Sequence, residues 1–126
     1  MPIIGIGVDI AQISRVSALL NRRGSDKLAQ RILSELELVH WHTSRSNVLS
    51  RDALFLGVRW ALKEAAYKAT YPTFCPSWKD LTYHPLGSRE PGSKPMLSYK
   101  SCTSLSLNCS VSHDGDYVFA TVLAEK

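Results

Sequence analysis

The strongest constraint on this chain is a helical beat over residues 51–70 that stops at a proline. Leu54, Val58, Ala61, Leu62, Ala65 and Ala69 recur with the period of an α-helix, and the abundant alanine is the best helix former. Ser50 is placed to act as its N-cap. Pro72 disfavours helical geometry at Tyr71, which sets the helix end.

The other elements arrange themselves around this helix. Residues 3–10, IIGIGVDI, are apolar, β-branched and spaced by glycine, so they predict a buried strand whose glycines let another backbone come close. After a polar stretch come apolar residues 16–20. Leu28, Ile32, Leu36 and Val39 then predict one amphipathic helix over 27–39, with Arg31 and Glu35 off its apolar stripe. Residues 40–47 are polar and read as a loop. Residues 72–95 are rich in proline, glycine and serine, which predicts mainly loop with a short strand at 81–84. Strands are expected at 96–99, 108–113 and 117–124, the last two joined through Asp114-Gly115-Asp116. The fold class is therefore α+β: a single domain over 1–126, mainly antiparallel sheet packed against a long helix. A chain of 126 residues without repeat or linker holds one core.

Composition narrows the classes of function. Fifteen Lys and Arg against 11 Asp and Glu give a net charge of +4, which suits an anionic partner: nucleic acid, phosphorylated cofactor, membrane surface or acidic protein. The basic residues are scattered, so a mildly basic solvated surface accounts for them equally well. Cys75, Cys102 and Cys109 form no CxxC pair, and their odd number argues for reduced, structural thiols in an intracellular protein. No apolar run reaches the ~18 residues of a membrane span. The N-terminus leads straight into a strand-like segment, which predicts neither signal nor transit peptide.

A few residues carry chemistry. Asp9 lies in an apolar strand, where a carboxylate has to be paired, protonated, bound to a cation or engaged in capping backbone N–H groups. Glu64 and Lys68 share a face of the long helix. Alone they read as an ordinary surface ion pair worth ~0.3–0.5 kcal/mol. Trp60 and Tyr67 flank them, however, and the neighbouring alanines form a face open to close approach. His113, beside Ser112 at a strand end, is either structural or a phosphate contact. His40 and His42 lack further ligands in sequence and read as surface residues, and Gly5-Ile6-Gly7 is too weak to mark a nucleotide loop. Taken together, Asp9 and Glu64 suit Mg²⁺, which prefers oxygen ligands and bridges to phosphate, and Lys68 suits a pyrophosphate. The implied reaction class is attack at a diphosphate.

Three blocks carry a resemblance: GIGVDIAQISRV at 5–16, RWALKEAAYKA at 59–69 and SVSHDGDYVFATVLAE at 110–125. In order and approximate spacing they resemble the signature blocks of phosphopantetheinyl transferases of the holo-acyl-carrier-protein-synthase type. The resemblance implies transfer of the 4′-phosphopantetheine arm of coenzyme A to a serine of apo acyl carrier protein, with Mg²⁺ as cofactor and 3′,5′-ADP as product. It implies Asp9 and Glu64 as metal ligands, with Glu64 also orienting or deprotonating the serine. Lys68 would contact the coenzyme A phosphates, and Ser112 and His113 the adenosine phosphate end. Arg15 and Arg31 would face the acidic carrier, and charge extends that patch to Arg22, Arg23 and Lys27.

A single unit of this length resembles the homotrimeric branch, whose active sites lie between subunits. Fatty-acid synthesis is its default setting, in bacterial cytoplasm or mitochondrial matrix, with no nucleic-acid or membrane partner. Gln12 departs from the pattern, standing where many members carry an acidic residue. The 70–104 tract matches poorly. The competing readings are a non-catalytic coenzyme A-binding relative and a small basic nucleic-acid-binding domain. The complete Asp9, Glu64 and Lys68 set argues against the first. The absence of a recognised basic-aromatic module argues against the second.

Overall fold

The computed structural model describes residues 2–44, 49–85 and 87–126, with 49 and 50 described by backbone alone. Strand β1 (Ile3–Gln12) leads into three short helices, α1 (Ile13–Arg23), α2 (Ser25–Ile32) and α3 (Glu35–Thr43). The long helix α4 (Leu49–Thr70) follows, then a 3₁₀ turn (Trp78–Asp80) and strands β2 (Leu81–His84), β3 (Met96–Tyr99), β4 (Ser106–Asp114) and β5 (Tyr117–Glu125). All five strands form one antiparallel sheet in the order β1-β5-β4-β3-β2. The α+β architecture expected from the sequence is the one observed.

Helix α4 is central because it is apolar on two sides. Ala61, Leu62, Ala65, Ala66 and Ala69 pack on Val118, Ala120 and Val122 of the sheet, while Ala53 and Leu56 join Val16, Leu20, Ile32 and Trp41 from α1–α3. The alanine face, which the sequence leaves open to close approach, is covered by the chain's own sheet. Gly5 and Gly7 account for this closeness. A Cβ on Gly5 would collide with the carbonyl oxygen of Ala69, and one on Gly7 with that of Ala65. Alanine on one side and glycine on the other thus bring β1 and α4 into backbone contact.

The expected helix over 27–39 is two helices. Ser34 caps α3 through a capping box, its Oγ accepting from Glu37 N at 3.3 Å while Ser34 N donates to Glu37 Oε1 at 2.9 Å. The break inverts the expected stripe: Leu36 and Val39 are exposed, whereas Glu37 and Trp41 are buried. Residues 40–43, expected as loop, complete α3, and 45–47 lie outside the described residues. His40 and His42 are on the surface as expected. Helix α4 spans Leu49–Thr70, so the backbone of Ser50 is helical, and the residues just before Leu49 lie outside the described residues.

Glu37 is the hub of a buried ionic cluster. Lys63 Nζ lies 2.5 Å from Glu37 Oε1, and Arg59 Nε 3.8 Å from Glu37 Oε2. Tyr83 N also donates to Glu37 Oε2, at 3.0 Å. Burial lowers the pKa of both cations, and Glu37 opposes the shift. Removing one partner of such a buried pair typically costs about 3–5 kcal/mol, because the other charge is left uncompensated.

Candidate functional site

The shared β1–α4 interface places the acidic residues. Asp9 follows Gly7 on the α4-facing side of β1, and Glu64 and Lys68 project from consecutive turns of α4. Lys68 Nζ donates to Val8 O at 2.9 Å and to Asp9 Oδ1 at 3.2 Å. The Asp9 side chain is 20% exposed and that of Lys68 54%, so the pair stands at a mouth open to solvent. Burial raises the pKa of Glu64, the Asp9 carboxylate raises it further, and Lys68 partly opposes both. Two mutually repelling carboxylates beside a cation are therefore built into the fold.

Asp9 and Glu64 line a cavity of about 210 Å³ together with Gln12, Arg15, Leu19 and Trp60. Its α1 wall is fixed from the sheet. The turn residue Asp116 accepts from Ser14 N at 2.9 Å and from Ser14 Oγ at 2.6 Å, and its backbone oxygen accepts from Ile13 N at 2.7 Å. Those hydrogen bonds, with one from the Gln12 side chain, hold the Asp116 carboxyl below its usual range. The β4–β5 turn thus orients the start of α1 and, with it, Arg15.

Leu19 and Trp60 also border a second cavity of about 230 Å³, lined further by Arg23, Leu28, Arg31 and Trp78. The first cavity therefore adjoins a groove lined by apolar side chains together with Arg23 and Arg31. Arg22 and Lys27 continue the basic surface beside Arg23 and Arg31. Of the expected basic contacts, Arg15 lies in the acidic cavity and Arg31 in this adjoining groove.

Ser112 and His113 are not brought into the cavity. On β4, Ser112 pairs with Phe119, which pairs with Ile10 of β1, while His113 pairs with Val118, which pairs with Ala11. Both are exposed, on opposite faces of the sheet and two strands from β1. Ser112 belongs to an outward face carrying exposed Ile6, Val8, Ile10, Tyr117 and Phe119.

Among the described residues no group of three or more His, Cys, Asp or Glu is arranged to hold a metal, and the acidic side chains lining the cavity are those of Asp9 and Glu64. No helix among the described residues is long and apolar enough to cross a membrane. Sequence reasoning missed Trp78, which reaches the groove from the 70–104 tract, and the cluster around Glu37. The latter had a signal in Ser34-x-x-Glu37, the spacing of a capping box.

Residues 5–122 match the family model of the 4′-phosphopantetheinyl transferase superfamily. The chain is 35% identical over 135 aligned residues to a holo-[acyl-carrier-protein] synthase of Burkholderia orbicola, covering 99% of this chain and 88% of the relative. It is 33% identical to the one from Burkholderia multivorans, with 99% and 88% covered. Among solved structures, holo-[acyl-carrier-protein] synthase from Neisseria meningitidis superposes with a TM-score of 0.76 at 27% identity, covering 99% of this chain and 100% of that one. The Bacillus anthracis synthase in complex with CoA (3′,5′-ADP) gives 0.74 at 28% identity, with 97% and 96% covered. The chain belongs to the 4′-phosphopantetheinyl transferase superfamily.

Proposed function

We propose that this protein is a holo-acyl-carrier-protein synthase, moving the 4′-phosphopantetheine arm of coenzyme A onto a serine of an apo acyl carrier protein and releasing 3′,5′-ADP. The observation that carries the reading is the convergence of Asp9 and Glu64 on one cavity, with Lys68 bound to Asp9 beside it, in a chain of this family. The solved Bacillus anthracis relative holds coenzyme A (3′,5′-ADP), which supports the same co-substrate here.

The donor set fits Mg²⁺, which uses one or two carboxylates and takes its other ligands from water and phosphate. Held by Asp9 and Glu64, it would supply Lewis-acid stabilisation of the diphosphate. Glu64, with its raised pKa, is suited to accept the serine proton as the Oγ–P bond forms. Lys68, about half exposed, would exchange its hydrogen bonds to Val8 O and Asp9 Oδ1 for the diphosphate. There it neutralises the charge left on 3′,5′-ADP when the P–O bond breaks. No covalent bond to the enzyme is required. Transfer assays with coenzyme A and a panel of apo carriers test this. Coenzyme A binding without transfer to any carrier would favour the non-catalytic reading.

The groove of Arg23, Arg31, Leu19 and Trp60 suits an acidic amphipathic helix presenting its serine at the Glu64 end. Arg31→Glu is expected to raise the apparent KM for the carrier by about tenfold with little change for coenzyme A. An unchanged carrier KM would count against this patch.

The exposed apolar sheet face supports self-association, and the resemblance to the homotrimeric branch favours a trimer. In that arrangement Ser112 and His113 serve the site of a neighbouring copy, in keeping with their distance from Asp9 within one chain. Light scattering should return three times the 14.0 kDa chain mass, and a monomer at micromolar concentration would overturn the assembly. Bacterial relatives favour a bacterial-type cytoplasm over a mitochondrial matrix.

A further inference from the structure

Lys63 immediately precedes Glu64, yet its ammonium turns away from the cavity into the protein. Its Nζ donates to Ile32 O at 2.8 Å, to Trp78 O at 2.8 Å and to Glu37 Oε1 at 2.5 Å. The two carbonyls belong to walls of the basic groove. Ile32 ends α2, Trp78 opens the 3₁₀ turn, and both line that groove opposite Trp60 of α4. The Trp78 ring meets Trp60 edge-on, with ring centroids 5.8 Å apart. One ammonium thus fixes two walls to the helix that carries the third wall and the catalytic carboxylate. Glu37 is held in turn by Ser34 N, Tyr83 N and Arg59.

Stability alone is a weak reason for this arrangement, because well-packed apolar residues often replace a buried ion pair at no loss. An apolar side chain in place of Lys63 would fill the volume and still leave the Ile32 and Trp78 carbonyls without their common donor. We propose that Lys63, oriented by Glu37, is a positioning residue for carrier docking, setting the Ile32 and Trp78 walls of the groove against Trp60 and Glu64. The proposal rests on the transferase reading above.

Steady-state transfer kinetics, varying carrier and coenzyme A separately, test it. Lys63→Met is expected to raise the carrier KM by about tenfold while the coenzyme A KM stays within about twofold. Because Lys63→Met removes the closest partner of Glu37, leaving Arg59 at 3.8 Å, and can compromise folding, the double variant Lys63→Met/Glu37→Gln is measured beside it. The double variant should keep the raised carrier KM whatever its Tm, since neither carbonyl regains its ammonium. A double variant whose carrier KM returns to the wild-type value overturns the proposal and leaves Lys63 a purely stabilising residue. So does a coenzyme A KM that rises in step with the carrier KM. Wild-type protein that modifies no carrier overturns the transferase reading itself, and the proposal falls with it.

Discussion

Glu64→Gln is expected to lower turnover by about 10²–10⁴-fold, the usual contribution of a positioned proton acceptor, while leaving the fold intact. The amide has the shape of the carboxylate, so the cavity walls at Trp60 and Leu19 keep their contacts. Its neutrality removes the cost of burying a charge and the repulsion from Asp9, which outweigh the lost attraction of Lys68 in raising the pKa of Glu64, so Tm should hold or rise. Loss of activity with retained Tm is therefore the signature, read by transfer kinetics and thermal melting on the same preparation. Asp9→Asn should behave similarly. It also gives up the charge attraction to Lys68 while the amide oxygen can still accept from it, and that lysine is largely exposed, so the change is of little structural consequence. Full activity in either variant would remove the two-carboxylate mechanism.

Gly7→Ala is expected to be the most damaging single-methyl change in the chain. The added Cβ would meet the backbone of α4 at Ala65 and, at 2.8 Å, the Ala69 nitrogen, neither of which can rotate away as a side chain tip would. Overpacking against flexible neighbours costs about 1–3 kcal/mol, and this site belongs at or beyond the top of that range. The cost falls on function too, since separating β1 from α4 moves Asp9 away from Glu64 and Lys68. Gly57→Ala is the control. Its Cβ would find only ordinary contacts at 3.8 Å with Val16 and 3.9 Å with Val118, and alanine is favoured over glycine inside a helix by about 1 kcal/mol. Thermal melting should show Gly7→Ala strongly destabilised and Gly57→Ala neutral or stabilised. Equal melting temperatures would contradict the backbone-contact account.

These contrasts mark what the sequence makes legible. The end of α4 and strands β2 and β3 were readable from the proline and from alternating apolar residues, because local chemistry decides them. Gly5 and Gly7 announced a close approach, although not that α4 was the element approaching. The stripe of Leu28, Ile32, Leu36 and Val39 misled because periodicity alone does not reveal the interruption at Ser34. The buried acid was the residue that hydrophobicity rules place outside, since Glu37 enters the core only because Lys63 and Arg59 arrive there from α4. Asp9, Glu64 and Lys68 were legible as a chemical set, and the fold brings them together. Ser112 and His113 sit apart because their part in the site, on this reading, depends on a second copy.

The central claim is best tested by intact mass spectrometry of an apo acyl carrier protein incubated with this protein, coenzyme A and Mg²⁺, beside a matched sample containing excess EDTA. The account predicts that the carrier gains one phosphopantetheine on its serine, and that EDTA abolishes the gain. An unmodified carrier across fatty-acid, polyketide and peptide carriers, or a gain undiminished by EDTA, would contradict it.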